Sequence, residues 1–305
     1  MIYIKIIFIK GVRSIYLIKW PRALNDTYLF GSKIIFFENG NVEFKNDKMP
    51  PTMDIHFWKS EVGLFNDGFL GGLPLLKKNC EYKIIFKGAV YPKSSVYLEI
   101  VFLDEQDDLI EKKIINGFEG TFKYPREAFK YEIHLKNINN LKCDFWGLIV
   151  SEKNWGARHS IYLEDNSCIC VVKNNIDFCK RLKVKVKLSN KRGDVVDVAR
   201  LFDGFDVLCL ILNNSVKQQY EIDNSIVEIY NEIVNVSKYL SLNLTDDSIE
   251  IDDDENNINL SISKVIGSLV GIKNRNTILS NGRLIDLNIE EKNTVRLILN
   301  KLKEV

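Results

Sequence analysis

The sequence predicts an all-β jelly-roll sandwich followed by an α/β domain. Three observations carry that expectation. Residues 15–150 alternate apolar and polar side chains in short runs broken by turn residues, the period-2 pattern of half-buried strands. Those runs carry no sustained helical period. Beyond residue 155 the texture changes to a mixture of strand-like and helix-like segments, which suits an α/β arrangement.

The first ten residues, Met1 to Lys10, are apolar but interrupted by Lys5 and Lys10. They are too short to span a bilayer, and no small-residue cleavage pattern follows them. An edge strand, or a start codon placed too early, is the expected reading. Residues 15–20 open the sandwich. Residues 33–38 and 41–46 flank Asn39-Gly40, and a two-residue Asn-Gly loop suits a type I′ hairpin turn. Residues 81–87 follow a turn at Asn79, a residue that tolerates positive φ, and place Tyr82, Ile84 and Phe86 inward. In 95–103, Val96, Leu98, Ile100 and Phe102 share one face, with Tyr97 and Glu99 on the other. Residues 109–115 form another strand. Then Phe129, Tyr131, Ile133 and Leu135 alternate with Lys130, Glu132 and His134, and residues 145–150 complete about eight strands.

A boundary falls near 153–160, giving domains over 1–154 and 155–305. In the second domain, 167–172 and 181–188 read as strands. Lys183, Lys185 and Lys187 there resemble an edge-protecting row. Residues 194–202 read as a short helix. Val207-Leu208-Cys209-Leu210-Ile211-Leu212 is the continuous apolar run of a strand covered on both faces. Residues 225–240, 264–272 and 290–303 have helical spacing. Asp246-Asp247 and Asp252-Asp253-Asp254-Glu255 read as solvated acidic turns, because they lack the glycine and ligand spacing of a calcium loop.

Composition excludes several functions. With 46% hydrophobic residues, 27% charged residues and a net charge of +1, the chain is an ordinary globular protein. Residues 1–155 hold 22 basic and 19 acidic side chains, and the remainder 20 and 22, so neither half has the basic excess of a nucleic-acid binder. The six cysteines are scattered without a CxxC pair, and there are three histidines. No zinc site and no other cofactor is expected, and the cysteines read as buried and reduced. No phosphate loop or nucleophile elbow occurs, so no catalytic residue is assigned. The candidate glycan or partner contacts are Tyr97, Glu99 and His134 on an outward sheet face, with Trp58 and Trp146 near a sheet rim. Flat aromatic faces beside polar groups suit both kinds of ligand.

Several landmarks occur in a fixed order: Trp20, then Asp26-Thr27-Tyr28-Leu29-Phe30-Gly31-Ser32, Asn39-Gly40, Met49-Pro50-Pro51, Leu73-Pro74-Leu75-Leu76, Tyr82, Val96-Tyr97-Leu98 and Phe122-Lys123-Tyr124-Pro125. This order resembles the third accessory secretory protein family of the bacterial accessory Sec system, over about residues 15–150. The resemblance implies a non-catalytic cytoplasmic protein, peripheral at the inner face of the membrane, with a carbohydrate-binding-module-like fold. It implies partnership with two other accessory secretory proteins, one glycosyltransferase-like and one acetyltransferase-like, and with the accessory Sec motor ATPase. It also implies a role in glycan modification and export of serine-rich repeat glycoprotein adhesins. Two alternatives stay open: a glycan-binding module fused to an uncharacterised enzyme domain, and a structural adaptor.

Overall fold

The computed structural model describes residues 15–37, 40–60, 72–156, 159–163, 169–174, 182–188, 195–198, 207–213, 249–253, 278–280 and 283–284. Two antiparallel sheets pack face to face. The larger has the order β14(Val195–Asp197), β1(Ile15–Ile18), β10(Lys142–Glu152), β3(Val42–Lys45), β2(Lys33–Phe36). Within it, β5(Glu81–Tyr91) also pairs with β10 and with β8(Glu119–Lys123). The smaller has the order β4(Asp54–Lys59), β9(Lys130–Asn137), β6(Val96–Leu103), β7(Leu109–Asn116).

Alternation explains the packing. Val96, Leu98, Ile100 and Phe102 are buried on β6, Tyr131, Ile133 and Leu135 on β9, and Tyr82, Ile84 and Phe86 on β5. They meet in one aromatic-rich core with Trp20, Phe44, Trp58, Phe122, Tyr124 and Phe145. Asn79 has φ of 60°, as expected of the turn before β5. Phe129 does not join the Tyr131 row. It precedes β9 and is 58% exposed.

The β2–β3 hairpin differs from the expected two-residue loop. Phe36 pairs with Val42, the Phe37 N–H donates to Asn41 O and the Gly40 N–H donates to Phe37 O. With Gly40 at φ 75°, this is the pattern of a three-residue loop closed by a left-handed glycine. Glu38 and Asn39 lie outside the described residues.

Two strands had no legible alternation. β4 carries a bulge between Asp54 and His56, so Ile55 and His56 are buried in succession. β8 buries only Phe122.

A third sheet runs β11(His159–Leu163), β12(Ile169–Asn174), β15(Val207–Asn213), β13(Leu182–Leu188), β16(Ile249–Asp253), β17(Ile278–Ser280), β18(Arg283–Leu284). β13 lies parallel between β15 and β16, so its lysine row does not guard an edge: both sides of its backbone are paired. Asp252 and Asp253 end β16 rather than forming a turn. The stretch expected as a helix from 194 begins as β14, where the β-branched pair Val195-Val196 adds to the free edge of β1. Val198, directly after β14, is helical, and the remainder of the expected helix, 199–202, lies outside the described residues. The other helical element among the described residues is the single turn α1(Lys153–Gly156). Met1 to Lys10, the expected helices over 225–240, 264–272 and 290–303, and Asp246-Asp247 and Asp254-Glu255 all lie outside the described residues. No described helix is long and apolar enough to cross a membrane.

Cys80, Cys143 and Cys170 are free thiols. Cys143 and Cys170 are buried, but Cys80 is only half-buried at the core margin.

Candidate functional site

The outward face of the four-stranded sheet holds a connected layer of charge. Its geometry follows from register. β9 sits between β4 and β6, so Phe57 and Glu99 both lie directly opposite His134, and Tyr97 lies opposite Lys136. Alternation puts Glu132, His134 and Lys136 on one face.

His134 is the hub. Its Nδ1 lies 3.1 Å from Asp54 Oδ1, and its Nε2 lies 2.9 Å from Glu132 Oε2. Burial pushes the imidazole pKa down, but the hydrogen bonds and charges of Asp54 and Glu132 outweigh this and raise it to about 8. Both nitrogens therefore donate, and neither is left to take a proton from a ligand. Burial would raise the Asp54 carboxyl, yet hydrogen bonds from His134 and Lys136 hold it below its usual value.

Lys136 Nζ lies 2.9 Å from Asp54 and 3.8 Å from Glu99, and Lys112 Nζ lies 3.7 Å from Glu99. The Phe57 ring stacks on His134 at 5.3 Å between centroids and 13° between planes. Lys59 Nζ sits 5.0 Å from the centre of that Phe57 ring. With Glu99 and His134 side chains 14% and 12% exposed, this is a fixed polar mosaic fitted for recognition by charge and shape. Among the described residues, no three His, Cys, Asp or Glu side chains converge as metal ligands.

The structure thus brings Tyr97, Glu99 and His134 together and leaves the two tryptophans elsewhere. Trp58 is 2% exposed in the core. Its indole N–H donates to Lys19 O, and its ring stacks on Phe145. The bulge in β4 turns it inward, so it has no face to offer a ligand. Trp146 lies half-buried on the opposite surface of the sandwich, against Ile15, Leu17, Leu163 and Cys170. Sequence reasoning missed Asp54, Phe57 and Lys136. Lys136 was two residues from His134 on the same strand, but Asp54 and Phe57 needed β4 to be recognised.

Residues 27–152 match the profile of the family described as Accessory Sec secretory system ASP3. ASP3 of the accessory Sec system from Streptococcus gordonii is 32% identical over 126 residues, a stretch covering 41% of this chain and 79% of that protein. The chain belongs to the ASP3 family. Its ASP3 counterpart from Staphylococcus aureus is 30% identical over 135 residues, covering 44% of this chain and 42% of that protein. A solved structure of accessory secretory proteins 1, 2 and 3 from Streptococcus pneumoniae contains a chain 26% identical to this one, with a TM-score of 0.43, covering 45% of this chain and 94% of that one. The ASP3 match includes every residue of the His134 mosaic.

Proposed function

We propose that this ASP3-family chain is a non-catalytic assembly subunit of the accessory Sec complex, and that the outward face built on His134 contacts a protein partner. Membership in the ASP3 family carries the reading. The partners are two other accessory secretory proteins, one glycosyltransferase-like and one acetyltransferase-like, together with the accessory Sec motor ATPase. The complex handles serine-rich repeat glycoprotein adhesins on the cytoplasmic side of the membrane. Residues 1–154 form the sandwich domain, and 155–305 an α/β domain with an assembly role. The parallel pairs β13–β15, β13–β16 and β16–β17 support the latter, since parallel neighbours need crossover connections.

The geometry favours a protein contact because the face offers fixed, alternating charges, which specify a complementary surface and its register. Co-expression with the two partner proteins tests this. The parent chain co-purifies with them, and Glu99→Lys, which sets a positive charge beside Lys112 and Lys136, weakens that association. Co-purification of neither parent nor variant would sink the reading.

A glycan is the second ligand the face suits, because the stacked Phe57–His134 pair lies beside carboxylates. Calorimetry with a glycosylated serine-rich peptide decides it. The Tyr97→Ala, His134→Ala double variant loses binding if the sugar sits there, and equal binding by parent and variant removes the assignment.

A further inference from the structure

Among the described residues, every fully buried member of the main sandwich core lies between Ile18 and Val150, and from the second half Val195 touches it. A second, separate core sits on the opposite surface. There Ile15, Leu17 and Ile149 of the sandwich meet Leu163, Cys170, Val172, Val196 and Val198. Gly147 permits the approach: a Cβ there would stand 2.9 Å from Leu17 Cδ1 and 3.3 Å from Leu163 Cδ2. Beside this patch, β14 adds to the outer edge of β1, with Tyr16, Leu17 and Ile18 opposite Asp197, Val196 and Val195. Among the described strands, that ladder is the only pairing that joins the halves. An unpaired edge strand flanked by an apolar patch is an acceptor for an extended chain.

We propose that the β1 edge and its apolar flank are a strand-docking site, and that this chain fills the site with its own second half, held as a separable partner rather than as a continuation of the sandwich. The occupant is the strand Val195-Val196-Asp197, with Val198, β11 and β12 packed beside it. Its β-branched side chains suit the extended pairing, and they supply the apolar surface that Ile15, Leu17 and Ile149 lack. The relatives differ at this point: the Staphylococcus aureus protein keeps more than half of its length outside its match, whereas the Streptococcus gordonii protein leaves only roughly thirty residues outside, too few for a second domain of this size.

The test uses the full chain with a specific protease site placed at residues 157–158. After cleavage the two pieces elute together from a sizing column. In Val196→Asp they separate, and the sandwich piece keeps its near-ultraviolet aromatic signal. Leu17→Ser is the milder variant from the other side of the contact and shifts elution the same way. Folding of each uncleaved variant is checked by that aromatic signal, which reports the main core. Separation of the parent pieces on cleavage overturns the proposal, as does continued co-elution of the cleaved Val196→Asp pieces. Loss of the aromatic signal from the separated sandwich overturns it too, because the halves would then share one cooperative fold.

Discussion

His134 and His56 lie on adjacent strands of the four-stranded sheet but on its opposite faces, and their environments push them in opposite directions. His56 is buried between Trp20 and Trp58, each ring 4.5 Å away, with Thr27 Oγ1 2.8 Å from Nδ1. Burial lowers its pKa to about 3. The unfolded chain takes up a proton first, so stability is full above pH 6.5 and falls as pH drops toward 3. His134 is raised to about 8 by its carboxylates against the opposing effect of burial. Its contribution is full below pH 6.5 and is lost as pH rises through 8, and it amounts to roughly 2 kcal/mol. Asp54→Asn removes one carboxylate. The expected outcome is a His134 titration midpoint below that of the parent, read by NMR, and a smaller loss of stability between pH 6.5 and 8. An unchanged midpoint would mean that Asp54 does not hold the imidazolium.

At the scale of elements, three buried asparagines knit the loops at one end of the sandwich. Asn46 donates to Phe30 O and Ser32 Oγ. Asn137 donates to Met49 O and Pro50 O, and its Oδ1 accepts from the Asn140 N–H. Asn140 donates to Tyr91 O, Ser95 Oγ and Lys142 O. These bonds satisfy carbonyls that irregular backbone would leave orphaned on burial. Asn137→Ala strips partners from three backbone groups. At 1–3 kcal/mol for each group left unsatisfied, partly offset by water, the loss is about 3 kcal/mol, which lowers the melting temperature by roughly 10 °C. A calorimetric shift under a third of that would show that water replaces the amide. Such loops were not legible in the sequence, because an asparagine in a turn does not announce distant carbonyls. Strands β5, β6 and β9 were legible because each buries every second residue. β4 was not, since its bulge breaks the alternation, and with it went Trp58, Asp54 and Phe57. The hairpin register slipped by one because Asn-Gly suits both a two-residue loop and a three-residue loop ending in glycine. β7 was legible as a strand although Glu111 and Lys113 lie opposite the core residues Phe102 and Ile100; both are exposed, and at a sheet edge such charges discourage pairing with another chain.

At the scale of the whole molecule, the two halves meet over a buried cation. Lys19 is 7% exposed. Its ammonium donates to Trp146 O at 2.5 Å and Asn41 Oδ1 at 3.3 Å, both neutral acceptors. Burial lowers its pKa from 10.5 to about 8, with the nearby Cys170 thiol of the second half pulling weakly the other way. The folded protein therefore gives up this proton more readily than the unfolded chain. Stability contributed by Lys19 is full above pH 10.5 and is lost as pH falls through 8. At neutral pH the seam holds a charged amine away from water, a cost that an apolar side chain of similar length would not carry. Lys19→Met is thus expected to stabilise the chain at pH 7. Lys19 adds about 2 kcal/mol to the parent relative to the variant between pH 8 and 9.5, above the window of His134, while the Cys143 and Cys170 thiols, whose pKa values burial raises, pull both proteins down alike as pH passes 9. The methionine variant lacks that gain. Denaturant titrations of both proteins across the window measure that difference directly, and parallel curves would mean that the pH dependence belongs to another group. The variant also separates two roles for the lysine. If the ammonium only fills space between the halves, Lys19→Met leaves the cleaved pieces bound at least as tightly as before. Looser binding would mean that its bonds to Trp146 and Asn41 orient the docking surface.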